Sequence, residues 1–267
     1  MGALLGIGGG VLLIPILVLG FDLPIRVAAA TSLVAVVATS TAAGSRYVAE
    51  GYTNMRLAMT LEVATTAGAL TGGLTAVVLS ERTLLLVFAG LLVLTAGLLF
   101  SGREAGEREV PPAGGRALVG EVPGRLAGSF VSPRTGEVVS YRAVRLPLGL
   151  AGSFVAGNAS GLLGVGGGFL KVPVMRLAMG IPTRVAVGTS NFMIGVTAAA
   201  GLLVYLQKGF VFPLIAAPVA LGVAGGALAG TRLGSMVPGR LLARALAVLL
   251  VAIGIQFLLR ALGIWHG

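Results

Sequence analysis

The chain has 267 residues, 56% of them hydrophobic and 10% charged, with a mean hydropathy of +1.00, a composition that a soluble domain with a wetted surface could hardly carry. Its 19 Lys and Arg against 9 Asp and Glu leave a net charge of +10, but the basic residues stand singly between apolar runs, so no stripe follows a nucleic-acid backbone and no nucleic-acid partner is expected. Cysteine is absent, His266 is the only histidine and Asp22 the only aspartate, which removes disulfides, thiolate and zinc centres, histidine-dependent triads and aspartate dyads; no metal or other cofactor is expected.

A helix needs about 20 apolar residues to cross hydrocarbon, and the chain offers roughly eight such runs, near 2–20, 26–48, 56–79, 83–100, 147–178, 184–206, 212–233 and 240–262. They show little amphipathic period and are rich in Gly, Ala, Ser and Thr, as helices that pack closely inside lipid are. The expected fold is all-α: a polytopic bundle, multi-pass in the cell membrane, with the bilayer as its surroundings. The ten-residue alternating segments of an outer-membrane barrel are not found, and no basic region precedes the first run, so a cleaved signal peptide is not expected.

Residues 101–145 change character, with seven arginines, five glutamates and several prolines. They read as a polar linker between a first transmembrane repeat, 1–100, and a second, 146–267. Within the linker, 125–131 and 137–144 alternate like two short strands around Ser132-Pro133-Arg134-Thr135-Gly136, which predicts a small hairpin.

Sliding the chain by about 158 residues superimposes Leu4-Leu5-Gly6-Ile7-Gly8-Gly9-Gly10 on Leu162-Leu163-Gly164-Val165-Gly166-Gly167-Gly168. The same offset carries Pro15 onto Pro173, Pro24 onto Pro182, Arg26 onto Arg184, Thr31-Ser32 onto Thr189-Ser190, Gly51 onto Gly209 and Gly68-Ala69-Leu70 onto Gly226-Ala227-Leu228. The halves read as a duplication. Four spans per half would make them parallel; a re-entrant segment in each would make them inverted, and spacing alone prefers the parallel arrangement.

Three consecutive glycines inside an apolar segment cost helix stability, roughly 1 kcal/mol each against alanine, so their recurrence asks for a reason. Pro15 and Pro173 follow five residues on and are expected to act as helix breaks. Unpaired backbone survives in lipid only where protein or a water-filled cavity covers it, and glycine-rich turns there present N–H groups to an anion. The candidate substrate-binding residues are therefore Gly8, Gly9, Gly10, Gly166, Gly167 and Gly168, joined by Thr31, Ser32, Thr189, Ser190 and Asn191 as uncharged donors at the start of the next span of each half. Close helix packing for the glycines and back-bonding to a carbonyl one turn earlier for the hydroxyls are the competing structural readings. Lys171 reads either as an anion attractor or as a side chain snorkelling to the interface, and Glu62 is expected at the interface.

These residues resemble the TauE/SafE family of sulfite exporter-like membrane permeases. The resemblance lies in Gly161-Leu162-Leu163-Gly164-Val165-Gly166-Gly167-Gly168, Lys171-Val172-Pro173-Val174-Met175, Ala186-Val187-Gly188-Thr189-Ser190-Asn191-Phe192-Met193, the paler first-half copy Gly6-Ile7-Gly8-Gly9-Gly10 with Ala30-Thr31-Ser32, and the linker stretch Gly136-Glu137-Val138-Val139-Ser140-Tyr141. It covers nearly the whole chain and implies a secondary transporter for sulfite, sulfonates or related small anions, with the glycine breaks and Thr-Ser pairs as site elements. The driving gradient is left open between a proton, a sodium ion and the anion itself, and a homo-oligomer is compatible with the sequence. One departure is that the second half has an apolar lead, 146–160, before Gly161, whereas two residues precede Ala3, so the first helix is expected to be shorter ahead of Gly6 than its counterpart ahead of Gly164.

The rival classes are an intramembrane enzyme, which would lack its histidine, cysteine and paired aspartates, and a non-transporting membrane scaffold, which would not need repeated glycine breaks. No Gly-x-x-x-x-Gly-Lys-Ser/Thr pattern supports ATP-driven transport within this chain.

Overall fold

The computed structural model describes residues 9–49, 51–100, 120–121, 126–131, 136, 138–234 and 239–263. It is mostly helical: α1 (Gly10–Pro15) with a π-helical continuation (Ile16–Gly20), α2 (Ile25–Ala49), α3 (Met55–Val78), α4 (Glu81–Phe100), α5 (Leu146–Leu163), α6 (Gly168–Pro173) with a π continuation (Val174–Ala178), α7 (Thr183–Gln207), α8 (Pro213–Gly234) and α9 (Gly239–Ala261). Among the described residues, α3, α5 and α7 are each long and apolar enough to cross a membrane, and Gly10–Gly20, Ile25–Thr41, Pro213–Gly226 and Ala245–Ala261 form shorter apolar stretches. Large side chains such as Val63, Leu74, Leu203, Leu214 and Leu221 stand exposed, which suits contact with lipid tails.

Lipid offers no hydrophobic drive for helices to associate, so close approach of small residues has to supply it. Helix α3 is started by Asn54, whose Oδ1 accepts the Leu57 N–H at 2.9 Å. It then runs parallel to α5 with glycines four residues apart on each: Gly157 lies on Thr65 and Gly161 on Ala69, while Gly68 lies on Phe154 and Gly72 on Asn158. Asn158 adds a hydrogen bond from its Nδ2 to Thr71 Oγ1 at 3.2 Å.

At the centre α2 packs on α7, and the contacts settle their directions. Arg26 at the start of α2 lies over the ring of Phe210, just past the end of α7, at 5.7 Å; Arg184 at the start of α7 lies over the ring of Tyr52, just past the end of α2, at 5.8 Å. Between them Leu33 faces Gly201 and Ser40 faces Gly195. The two helices are antiparallel, and the residues of the two cation–π pairs exchange under the 158-residue offset. The starts of α1, α2, α3, α4, α6, α7, α8 and α9 also pair off at that offset, as do the left-handed residues Asp22 with Gly180 and Gly51 with Gly209.

The run 147–178, expected as one crossing, is a helical hairpin. Helix α5 enters, the chain turns at 164–167, and α6 with its π segment returns alongside α5, so that Gly152 faces Val174 and the Val144 N–H reaches Met179 O at 3.1 Å. This corrects two expectations. The run 147–178 does not pass straight through, and α2 and α7, whose starts lie 158 residues apart, point in opposite directions instead of the same one. The cause is the glycine turn, which lets one apolar run leave the membrane on the side where it entered. The first run's counterpart, with Gly6, Gly8 and the expected shorter lead, lies outside the described residues.

Pro15 and Pro173, expected as breaks, do not interrupt the helical path. Each closes an α-helical stretch and passes into a π turn, with Ile16 and Val174 in helical backbone geometry. Widening the helix accommodates the carbonyl that proline's missing N–H leaves unpaired.

In the linker, β1 (Gly120–Glu121), β2 (Ala127–Val131) and β3 (Val138–Arg142) form an antiparallel sheet in the order β1-β2-β3, with Ala127 opposite Arg142 and Val131 opposite Val138. Residues 125, 132–135 and 137 of the expected hairpin lie outside the described residues. Phe130 and Val139 bury themselves in a cluster with Leu57, Met179, Ile181 and Val185, which seats the sheet on the end of the bundle where α3 and α7 begin.

These directions fix which loops share a face of the membrane. Because the chain has no cysteine, single cysteines placed at the exposed positions Gly51 and Gly180 should label with an impermeant maleimide from one side, and those at Asp22 and Gly209 from the other. Labelling of all four from one side would contradict the antiparallel arrangement of α2 and α7.

Candidate functional site

The turn between α5 and α6 is held by left-handed backbone at Gly164 (φ 75°), Gly166 (φ 81°) and Gly167 (φ 72°). Two of these positions exclude a side chain on space as well: a Cβ at Gly164 would lie 2.6 Å from Ala29 O, and one at Gly167 would lie 2.8 Å from Ala156 O. The turn is clasped from three sides. Ala29, Ser32 and Val36 form one stripe of α2, Ile194 comes from α7, and Ala156 and Ser160 come from α5. Val36 and Ile194, which meet at Gly166, are themselves partners under the 158-residue offset.

A turn buried in protein needs donors for its carbonyls, and the protein supplies one. Ser32 Oγ donates to Gly164 O at 2.7 Å, joining α2 of the first half to the break of the second. Gly10, at the start of α1, lies against the same carbonyl and the same hydroxyl, so this glycine of the first triplet meets the turn of the second. Gly9 is more open, with Val223 its nearest neighbour, and Gly168 is buried at the start of α6. Gly8 lies outside the described residues.

Hydroxyls in apolar helices ordinarily donate to the carbonyl three or four residues back, and Thr39, Ser40, Thr60, Thr65, Thr71, Thr75 and Thr95 all do so. Thr31, Ser160 and Ser190 do not. All three are fully buried, and their hydroxyl oxygens have no hydrogen-bond partner. Thr31 precedes Ser32 on α2, Ser160 touches Gly167, and Ser190 stands one turn before Ile194 on α7. Thr189 is different: its Oγ1 accepts the Asn54 N–H at 3.1 Å and so helps start α3. Asn191 is buried beside Ser190.

Lys171 does not snorkel. One turn beyond Gly167 on α6, its side chain is 1% exposed, and Nζ donates to Thr197 Oγ1 at 2.6 Å. Thr197 Oγ1 stands 2.7 Å from Glu62 Oε1, and Lys171 Nζ lies 3.8 Å from Glu62 Oε2. Glu62, expected at the interface, is buried on the face of α3 toward α7, with Thr66 donating to Oε1 at 3.3 Å. The correction has a simple cause: α3 begins beneath the seated sheet, so a residue two turns along is already covered by α5, α6 and α7. Sequence reasoning also passed over Ser160 and Thr197. Thr197 had a visible signal, since Thr39 occupies its place in the first half at the 158-residue offset.

A helical membrane bundle with a re-entrant glycine turn, unpartnered hydroxyls and a buried ion pair at its centre has the architecture of a membrane transporter. The model of the sulfite exporter TauE/SafE family matches residues 1–257, and the chain belongs to that family. It is 24% identical over 265 residues to the probable membrane transporter protein YunE of Bacillus subtilis, covering 97% of this chain and 92% of that protein. It is 30% identical over 266 residues to a probable membrane transporter protein of Xylella fastidiosa strain Temecula1, covering 97% of this chain and 90% of that one. No solved structure matches. The protein is an integral membrane transporter.

Removing one member of a buried ion pair strands the other charge, at a cost of about 3–5 kcal/mol, whereas removing both is nearly neutral. Lys171→Met should therefore lower the melting temperature of the detergent-purified protein sharply, and the Glu62→Gln, Lys171→Met double variant should regain most of the loss. A double variant no more stable than the single one would contradict the pairing.

Proposed function

We propose that the protein is a secondary transporter of small sulfur-containing oxyanions, sulfite, sulfonates or their relatives, and that the anion binds at the turn 164–167. The observation that carries this reading is that, among the described residues, three of the four buried hydroxyls without a partner, those of Thr31, Ser160 and Ser190, lie on α2, α5 and α7, the helices that clasp the turn; the fourth, Thr53, lies in the loop before α3. A buried polar group left unpaired costs about 1–3 kcal/mol, so the unpaired hydroxyls on the helices that clasp the turn, with Ser160 touching it, are a standing cost that a ligand made of acceptor oxygens relieves. Lys171, at the same turn, supplies the positive charge that a desolvated anion requires. Gly9, Gly10, Ser32, Gly166, Gly167, Gly168 and Asn191 shape the site around these donors.

The halves act as two inverted repeats, 1–100 and 146–267. The antiparallel course of α2 and α7, the exchanged pairs Arg26–Phe210 and Arg184–Tyr52, and the equal offsets of helix starts support this. In such repeats the two glycine breaks face each other near the middle of the bilayer, and rocking one repeat on the other exposes the site to each side in turn.

A lost hydrogen bond to a charged ligand is worth about 1.5–3 kcal/mol, or roughly ten- to a hundred-fold in affinity. Ser160→Ala and Ser190→Ala should each raise the half-saturating sulfite concentration for uptake into proteoliposomes by that factor, while leaving the melting temperature nearly unchanged. Thr189→Val should instead lower the melting temperature, because the Asn54 N–H loses its acceptor. Wild-type uptake kinetics in a folded Ser160→Ala, Ser190→Ala double variant would overturn the assignment of these hydroxyls.

A further inference from the structure

Glu62, Thr197 and Lys171 sit on α3, α7 and α6, of which α7 packs on the turn and α6 leaves it, and their geometry is not that of a locked salt bridge. The Thr197 hydroxyl accepts from the ammonium at 2.6 Å and has one proton of its own, which Glu62 Oε1 at 2.7 Å and Met193 O at 2.9 Å compete for. Glu62 Oε2 is buried, receives no hydrogen bond, and lies 3.8 Å from the ammonium. The carboxylate thus keeps one oxygen uncommitted beside the cation. Neither charge belongs to the repeated framework, since the 158-residue offset places Ala220 opposite Glu62 and Leu13 opposite Lys171.

Among the described residues no other charged side chain is placed to take over from either partner. Helix α5 carries no acidic, basic or tyrosine residue. On α7, Arg184 lies over Tyr52 and Tyr205 donates to Leu162 O. On α2, Arg26 donates to Ala76 O and Leu79 O at the far end of α3. Arg56 stands at the start of α3 itself, and Arg176 lies in the π segment beyond Pro173.

We propose that Glu62 carries the proton of the transport cycle: its protonation frees Lys171 to pair with the anion, so that proton and anion cross together. Charge balance in a low-dielectric site requires this coupling. Empty, the ammonium and carboxylate cancel. An anion entering alone leaves one net negative charge, and a proton entering alone leaves one net positive charge; both are heavily disfavoured away from water. A proton taken from water onto Glu62 Oε2 forms a neutral carboxyl group, and a singly charged anion such as bisulfite then replaces the carboxylate beside Lys171. Only the empty and the doubly loaded sites are neutral, so one proton travels with each such anion and the cycle moves no net charge. On release the carboxyl returns its proton to water and the pair re-forms.

This inference rests on the transporter reading above, and the test separates the two. The full chain is reconstituted in proteoliposomes with a pH-sensitive dye inside and the membrane potential clamped by potassium and an ionophore, with sulfite as the probe. Wild-type uptake should accompany proton movement in the same direction, respond to a pH gradient and ignore the potential. In Glu62→Gln, accumulation driven by a pH gradient should fall at least ten-fold, and exchange of sulfite at equal pH should lose its pH dependence. Wild-type uptake without proton movement, or full pH-driven accumulation by Glu62→Gln, would overturn the inference while leaving the transporter reading intact. No uptake of sulfite, thiosulfate or small sulfonates by the wild type would overturn the reading itself. Should Glu62→Gln not fold, infrared difference spectra on adding sulfite decide the matter: the wild type should gain a protonated-carboxyl band that shifts in Glu62→Asp, and a spectrum without that band would overturn the inference.

Discussion

In hydrocarbon a backbone carbonyl that leaves its helix has no water to turn to, and every feature at the centre of this protein follows from how the turn at 164–167 meets that constraint. The chain can reverse there because three glycines accept left-handed backbone and because α2 approaches closely enough for Ser32 to donate to Gly164 O. Together with the Asn54–Thr189, Asn158–Thr71 and Glu62–Thr197 hydrogen bonds, that bond ties residues 1–100 to residues 146–267. With it in place α6 returns beside α5, and Lys171 is carried into the interior instead of outward to the headgroups. A side chain at Gly164 would push α2 away and remove the donor at the same time, so the fold and the site share one point of failure.

The interior then holds two kinds of unfinished interaction. Hydroxyls that ought to back-bond remain unpaired on the helices that clasp the turn, and a carboxylate beside an ammonium keeps one oxygen without a donor. Buried polar groups are expensive when unsatisfied, and packing elsewhere in the same helices is tight enough to have removed them, as the glycine contacts of α3 and α5 show. On the proposed reading, these unsatisfied groups are what distinguish a binding site from a scaffold with the same composition.

The helical membrane fold, the linker strands and the glycine turn were all legible in the sequence, because composition, alternation and the 158-residue recurrence each leave a direct trace. Depth and direction were not. An apolar run from 147 to 178 has the same composition whether it crosses once or doubles back, although it exceeds the roughly 20 residues that one crossing needs. Miscounting it as one crossing made the halves appear parallel. The same ambiguity hid Glu62, whose distance from its helix start suggested an interface that the seated sheet in fact covers. Thr197 was passed over because threonines in such helices ordinarily back-bond; its hydroxyl does meet Met193 O, and its second role appears only once Glu62 and Lys171 are seen on either side.

On the proposed reading, the re-entrant turn and the buried lysine hold the transported anion between them. An experimental structure of the protein reconstituted with sulfite, or with selenite as its heavier analogue, tests this most directly. A single anion is expected near mid-membrane, within hydrogen-bonding reach of Lys171 and of the Ser160 and Ser190 hydroxyls, with Glu62 displaced from the ammonium. An anion bound elsewhere, with Ser160 and Ser190 still unpartnered and the Glu62–Thr197–Lys171 contacts intact, would contradict it.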